Sequence, residues 1–544
     1  MGVTFEVRLG GRVNLGIPLR ASLWARVGAR AVLLAMLLSG CGALPPRSDA
    51  PVSTAAEPPR DSPLARMAAE SIAAPELSGF RLMPHAAYSF DARIQLTRRA
   101  ESSLDIQYYL IANDLTGRML LRNVRDAAKR GVHVRLLVDD LYTSGADPMF
   151  IGLAAFPNVE VRLFNPFCCG RGGLVSKFAA SLFDFRRVNH RMHNKLFIAD
   201  GAMAVAGGRN IADEYFIRSM SANFVDMDAF IVGGVVTKLE RIFDTYWNSP
   251  QAYPIADIVS TDLTSRQLQE SFDRLVDEGE QMMEVRMPPR DVLGYGSIAD
   301  ELAGGRLELL QGMATAFADA PGKVMASTRE EASSMSVTMN VFDLVKAARS
   351  EVALSSPYFV PGSMGVQAFT NLRARDVKVT IVTNSLASND EPSVHAGYAP
   401  YRSQLLGVGV ALYELSASRV VHDKRLDVSA PGASLGRLHA KTAVIDRSIV
   451  FIGSMNLDPR SDSINTELGI IVRSSELGGE VLHVIDETLR RNAYRLQFGA
   501  DGQSLEWVTT EDSGDVILHD EPDTSFLLKL RSLLLSPFIS EQEL

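Results

Sequence analysis

The sequence predicts an α/β protein built twice, two domains of β-sheet flanked by helices on one chain. Three observations carry that prediction. A block of chemically specific residues recurs at a constant offset. Each copy follows an apolar strand, an amphipathic helix and a second strand. And 544 residues, 46% hydrophobic and 22% charged, exceed one ordinary domain and suit a chain that forms cores. That composition excludes collagen, coiled coil, a wholly disordered chain and a multi-span membrane protein. Lys+Arg 55 against Asp+Glu 64 leaves a net charge of −9, so no global basic field points to nucleic acid. Cys41, Cys168 and Cys169 are too few to frame a disulfide-stapled domain. The adjacent pair reads as two thiols, because bridge geometry separates the Cα atoms more than chain neighbours usually allow.

Residues 1–41 read as an export signal. Arg20, Arg26 and Arg30 precede the apolar run Ala31–Leu38, which is shorter than the ~20 residues a spanning helix needs. Leu38-Ser39-Gly40-Cys41 resembles the lipobox of bacterial lipoproteins, which makes Cys41 the lipidation site and mature N-terminus. Residues 42–75, rich in Pro, Ala, Ser and Glu, are expected to be a flexible tether. The first domain is expected over 76–254. Leu104–Leu110 alternates with period two, Leu115–Lys129 is amphipathic, and Val132–Val138 is a second apolar strand. A more polar connecting segment with helical patches covers 255–323. The second domain, 324–496, repeats the pattern with Val352–Val360, Ser363–Arg375 and Val377–Val382. In the tail, 497–544, the run Phe526–Leu535 is expected to pack on the core, with a place on a membrane surface as the other reading.

The repeat carries the chemistry. His193, Lys195 and Asp200 recur as His439, Lys441 and Asp446, an offset of 246 at every position. The same offset relates Gly207 to Gly453 and Asn210 to Asn456. On a strand, residues two apart point the same way, so each histidine shares a face with a lysine. That pairing repels a metal cation and suits an anion. The histidine attacks or moves protons while the ammonium neutralises phosphate oxygens. Asn210 and Asn456 offer amide donors, and Ser454 adds a hydroxyl where the first copy has Gly208. Asp226 and Glu467, each ahead of an apolar strand, are expected to orient the imidazoles. Asp200 and Asp446 are expected to hold structure near the motif. Among the other histidines, His395 is expected to line a substrate cleft.

These paired motifs resemble the twin signatures of the phospholipase D superfamily. Longer segments, among them Arg162–Phe167, His193–Gly201, Gly207–Phe216, Ser356–Pro361, Val394–Tyr398 and Gly453–Arg460, are similar to its cardiolipin synthase C branch. The resemblance implies two phospholipase D-like domains related by pseudo-twofold symmetry, with one active site at their interface. It implies His193, Lys195, Asp200, His439, Lys441 and Asp446 as the catalytic motif, with His193 as nucleophile and His439 as general acid and base, and no cofactor or metal. The implied substrates are phospholipids, phosphatidylglycerol and also phosphatidylethanolamine, met at a membrane surface. Nucleic acid is not expected, and the need for an accessory protein stays open. The lipoprotein-like start departs from the family pattern and implies a membrane-anchored lipoprotein of the bacterial envelope facing the periplasm. A hydrolase or nuclease of the same superfamily, and a non-catalytic lipid-binding protein, remain as alternatives. The acidic net charge argues against the nuclease, and two intact motifs against the binder.

Overall fold

A computed structural model of the chain describes residues 44–48, 51–55, 62–278, 287–422, 435–511 and 514–535. The expected signal segment 1–41 and its Cys41 lie outside the described residues. The described strands form one continuous mixed sheet of eighteen strands and a separate two-stranded ribbon.

The sheet is ordered about an antiparallel pair near its middle, Leu77–Met83 against Leu310–Ala318. Outward on one side come Asp228–Gly233, Met203–Gly207, Leu196–Ala199, Ser103–Tyr108, His133–Asp139 and Val159–Phe164. Outward on the other come Leu468–Arg473, Ile449–Gly453, Thr442–Ile445, Glu351–Ser355, Lys378–Asn384 and Ala411–Leu415. Each series reaches three mutually parallel strands and then an antiparallel one, Ala252–Pro254 on one side and Ala493–Phe498 on the other, so the same order is read from the centre in both directions. Parallel neighbours need crossovers, and the helices Leu115–Lys129 and Gly362–Arg373 supply them. Leu115–Lys129 begins where Asp114 caps the Gly117 amide and buries Leu120, Leu121 and Val124 on one face. The parallel strands Ser103–Tyr108, His133–Asp139 and Val159–Phe164 are buried on both faces over nearly their whole length, which explains their near-continuous apolar runs.

Three sequence expectations differ from the structure. The connecting segment contains Leu310–Ala318, a strand at the centre of the sheet. Its run of Gly, Ala, Thr and Gln carries too weak an apolar signal to show as one. The tether is docked rather than free where it is described. Arg135 donates to the Ser53 carbonyl, Trp247 to the Ser53 hydroxyl, and Arg47 to the Ser249 carbonyl. Pro63–Ser71 is a helix with Ser62 as cap and proline in its first turn, a start signal present in the sequence. In the tail, Leu505–Glu511 and Gly514–Leu518 extend the sheet edge, and the helix Phe526–Leu535 packs against Pro392–Tyr398. Among the described residues no helix is long and apolar enough to cross a membrane. Cys168 and Cys169 are half-buried.

Candidate active site

The two motif histidines occupy the turns entering Leu196–Ala199 and Thr442–Ile445, and each is held from both halves of the chain. Within its own half, the last residue of a parallel strand clasps the residue before the histidine. Asp139 accepts from the Met192 amide at 2.8 Å, and Asn384 accepts from the Leu438 amide at 2.8 Å. From the other half, the backbone N–H of His193 donates to the Thr466 carbonyl at 2.9 Å, and that of His439 to the Val225 carbonyl at 2.7 Å. The two-stranded ribbon, Ala222–Val225 parallel to Leu435–Leu438, belongs to this junction.

Those carbonyls directly precede Glu467 and Asp226, so the carboxylates cross over. His193 Nδ1 lies 3.0 Å from Glu467 Oε2, and His439 Nδ1 lies 2.6 Å from Asp226 Oδ2. Each acid therefore serves the histidine of the other half. An ionised carboxylate accepts, so Nδ1 carries the hydrogen and Nε2 keeps a free lone pair. Lys441 Nζ is 3.1 Å from His439 Nδ1, and both Lys195 and Lys441 donate to the carbonyl of their own motif histidine at 2.6 Å. Tyr109 and Tyr215 meet His193 and His439 edge-on, each at 5.0 Å between ring centres.

Burial governs the protonation of this cluster. Desolvation, with smaller contributions from the lysines, lowers His193 to about 4 and His439 to about 3 against the attraction of their carboxylates. Desolvation likewise lowers Lys195 to about 7 and Lys441 to about 8. Asp226 and Glu467 are held below their usual range despite burial, by His439 and His193 respectively and by the neighbouring lysines. At neutral pH both imidazoles are neutral. The two lysines, with lowered affinity for their protons, face the charges of Glu467 and Asp226.

The remaining expected residues divide. Ser454 turns its hydroxyl onto Glu467, at 2.5 Å from Oε2, and Ser461, unforeseen in the sequence, donates to Oε1 at 2.8 Å. Gly208 stands opposite Asp226, where an added Cβ would lie 2.1 Å from Oδ1, so the first copy cannot carry the serine of the second. Asn210 donates to the Tyr215 hydroxyl at 2.9 Å, and the backbone N–H of Asn456 donates to the Ser461 hydroxyl at 3.1 Å. Both asparagines are buried with Oδ1 unpartnered among the described residues. Asp200 and Asp446 sit away from the imidazoles in left-handed turns, φ +52° and +49°. Asp200 accepts from the amides of Glu101, Ser102 and Ser103, and Asp446 from those of Arg349, Ser350 and Glu351. His395 does not reach the centre. It is buried against Arg402, whose guanidinium lies 2.9 Å from its Nε2 and pairs with Glu414. Tyr109, Tyr215 and Ser461 are not singled out by the sequence, because their approach to a histidine or acid of the centre is set by tertiary packing rather than by local spacing.

Comparison with known proteins places this arrangement. The family described as cardiolipin synthase, PLD-like domain, matches the chain twice, over residues 94–247 and 341–489. Cardiolipin synthase C of Escherichia coli (strain K12) is 34% identical over 461 residues, covering 82% of this chain and 93% of that protein. A cardiolipin synthase of Staphylococcus aureus (strain N315) is 25% identical, over 71% of this chain and 62% of that one. In fold, the crystal structure of phosphatidylserine synthase from Haemophilus influenzae Rd KW20 is similar with a TM-score of 0.52 and 13% identity, covering 86% of this chain and 95% of that one. With both copies of the motif inside the two matched stretches, this chain belongs to the cardiolipin synthase PLD-like family, within the phospholipase D superfamily.

Proposed function

We propose that the chain is a phosphatidyltransferase that makes cardiolipin by moving a phosphatidyl group to phosphatidylglycerol through a phosphohistidine. The observation that carries the reading is the crossed pair of histidines, each with Nδ1 on a carboxylate of the other half and Nε2 left free. The two halves then share a single centre at their interface, related by a pseudo-twofold axis. The sheet order repeating outward from its middle supports that symmetry. Membership of the family supports lipid phosphodiesters as substrates.

In this mechanism His193 Nε2 bonds to phosphorus as the bond to the leaving oxygen breaks, and His439 gives that oxygen its proton. His439 Nε2 then takes the proton of the acceptor hydroxyl, whose oxygen displaces His193 and closes the new diester. Lys195 and Lys441 oppose the charge of the crowded phosphorane, with Asn210 and Asn456 at its edge. The lysines also make the centre hostile to a cation, so the chemistry is assigned to these side chains alone. Ser454 acts on the reaction through Glu467. The Cys41 lipobox sequence supports a lipid-anchored protein of the bacterial envelope facing the periplasm.

The test is a product assay. Purified protein receives labelled phosphatidylglycerol in mixed micelles, with and without phosphatidylethanolamine, and the lipids are separated by chromatography. Cardiolipin formed by the native chain and absent with His193→Ala is the expected result. Phosphatidic acid alone would replace the transferase with a hydrolase, and absence of turnover would overturn the enzymatic reading.

A further inference from the structure

The segment leading into the first motif exposes an unusual amount of apolar side chain. In the helix Leu174–Ala180, Val175 is 85% exposed, and in the turn that follows, Leu182 and Phe183 are 67% and 78% exposed. Leu174 and Phe185 add to the same face. This is not a loosely held loop. Lys177 is buried and donates to the Asp140 carbonyl at 2.6 Å and the Thr143 hydroxyl at 2.8 Å, while Arg171 pairs with Asp140 and Asp147. Burying a lysine to anchor a helix that then presents valine, leucine and phenylalanine to water calls for an explanation.

The surface is continuous with the catalytic centre. Phe178 packs on the small cluster Leu141, Phe167 and Val188, to which Tyr109 also packs, and Tyr109 meets His193 edge-on. A second exposed apolar element joins the same rim. In the tail helix Phe526–Leu535, Phe526 and Leu527 are 77% and 74% exposed. Asn189, at the end of the first element, receives Arg460 on its carbonyl at 2.8 Å. The charge of Glu391 in turn faces both Arg460 and Arg531 of the tail helix.

Each of these elements also presents an exposed arginine. On a chain of net charge −9, the exposed cations these elements leave without an ion pair to a carboxylate among the described residues are Arg186 and Arg531, while Lys177, Arg187 and Lys529 pair with Asp140, Asp184 and Asp520. Arg186 is exposed and donates to the backbone carbonyls of Ala326 and Ser327 rather than to a carboxylate. Exposed apolar side chains with Arg186 and Arg531 beside them match an anionic phospholipid surface, where the side chains enter the acyl boundary and the two guanidinium groups meet headgroups.

We infer that Val175, Leu182 and Phe183 on one side and Phe526 and Leu527 on the other form a bilayer-docking face around the mouth of the catalytic centre. The inference rests on the lipid-transferase reading, and it gives that reading a geometry. The acyl chains stay in the bilayer while the diester rises to the buried histidines.

The test uses the full chain carrying Cys41→Ser, so that no attached acyl chain masks the face. One variant combines Val175→Ser, Leu182→Ser and Phe183→Ser, and another Phe526→Ser and Leu527→Ser. All five positions are exposed, so folding is retained. Binding is measured by co-sedimentation with vesicles of phosphatidylglycerol and phosphatidylcholine in equal parts. Turnover is measured on those vesicles and on short-chain phosphatidylglycerol dispersed as monomers. Each variant is expected to lose about tenfold or more in vesicle affinity, with vesicle turnover falling alike and turnover of the dispersed substrate unchanged. Unchanged vesicle affinity in both variants would overturn the proposal, and so would unchanged affinity with altered self-association, which would make the face a protein interface. If the unsubstituted face turns over neither form of lipid yet its vesicle binding still depends on these residues, the docking face stands and the proposed reaction falls.

Discussion

Asp226→Asn should disable His439, a histidine 213 residues away, and leave His193 able to react. The substitution keeps shape and volume at a fully buried site, so it changes charge and hydrogen-bond polarity without opening a cavity. An amide turned towards Nδ1 donates instead of accepting, which moves the imidazole hydrogen to Nε2. In that tautomer His439 has no lone pair with which to take the acceptor's proton. A wrong tautomer of this kind costs about 10⁴-fold in serine proteases, on the order of 5 kcal/mol. The assay uses a phosphatidic acid ester of 4-nitrophenol, whose leaving group departs without a general acid. Asp226→Asn should then release a stoichiometric burst of nitrophenolate as His193 is phosphatidylated, followed by steady turnover about 10⁴-fold below the native rate. Glu467→Gln, acting on His193, should abolish the burst. A burst lost in Asp226→Asn and kept in Glu467→Gln would reverse the roles of the two histidines. Equal loss in both would refute the separation of roles by crossed pairing.

Three further outcomes are expected. Both imidazoles are neutral in the empty centre, so binding the diester draws in a proton; kcat/KM should fall with pH, more steeply beyond pH 7 as Lys195 and then Lys441 lose their ammonium protons, and a pH–rate profile rising between 7 and 9 would contradict this. Asp200→Ala strips a shared acceptor from three backbone amides, one of them at buried Ser103, and should cost about 2–4 kcal/mol by urea denaturation with kcat of the folded protein kept within a few-fold; unaltered stability with collapsed kcat would instead make Asp200 a chemical participant. Gly208→Ala places a methyl group against the Asp226 carboxylate and should reproduce the kinetics of Asp226→Asn, which the same burst assay reads directly.

Much of the fold and of the site chemistry is legible locally. Strand alternation at Leu104–Leu110 and the amphipathic stretch Leu115–Lys129 are properties of short windows, and the corresponding elements are Ser103–Tyr108 and Leu115–Lys129. The repeated His-x-Lys spacing states which groups stand together because side-chain type and spacing are local facts. Weak windows hide their role. Leu310–Ala318 is a central strand through its neighbours Leu77–Met83 and Leu468–Arg473, not through its own composition.

By itself the amino-acid sequence determined the duplication, the two anion-facing motifs and the two orienting acids. It did not determine which acid serves which histidine, nor that Ser454 faces Glu467 rather than open space. Those choices belong to tertiary structure, because residues 213 and 274 apart meet only after the halves dock and each motif turn lies along the segment leading to the other half's acid. Backbone bonds from His193 to Thr466 and from His439 to Val225 set that register. The same docking buries the cluster, and burial is what lowers the proton affinity of two ordinary imidazoles and two ordinary ammonium groups.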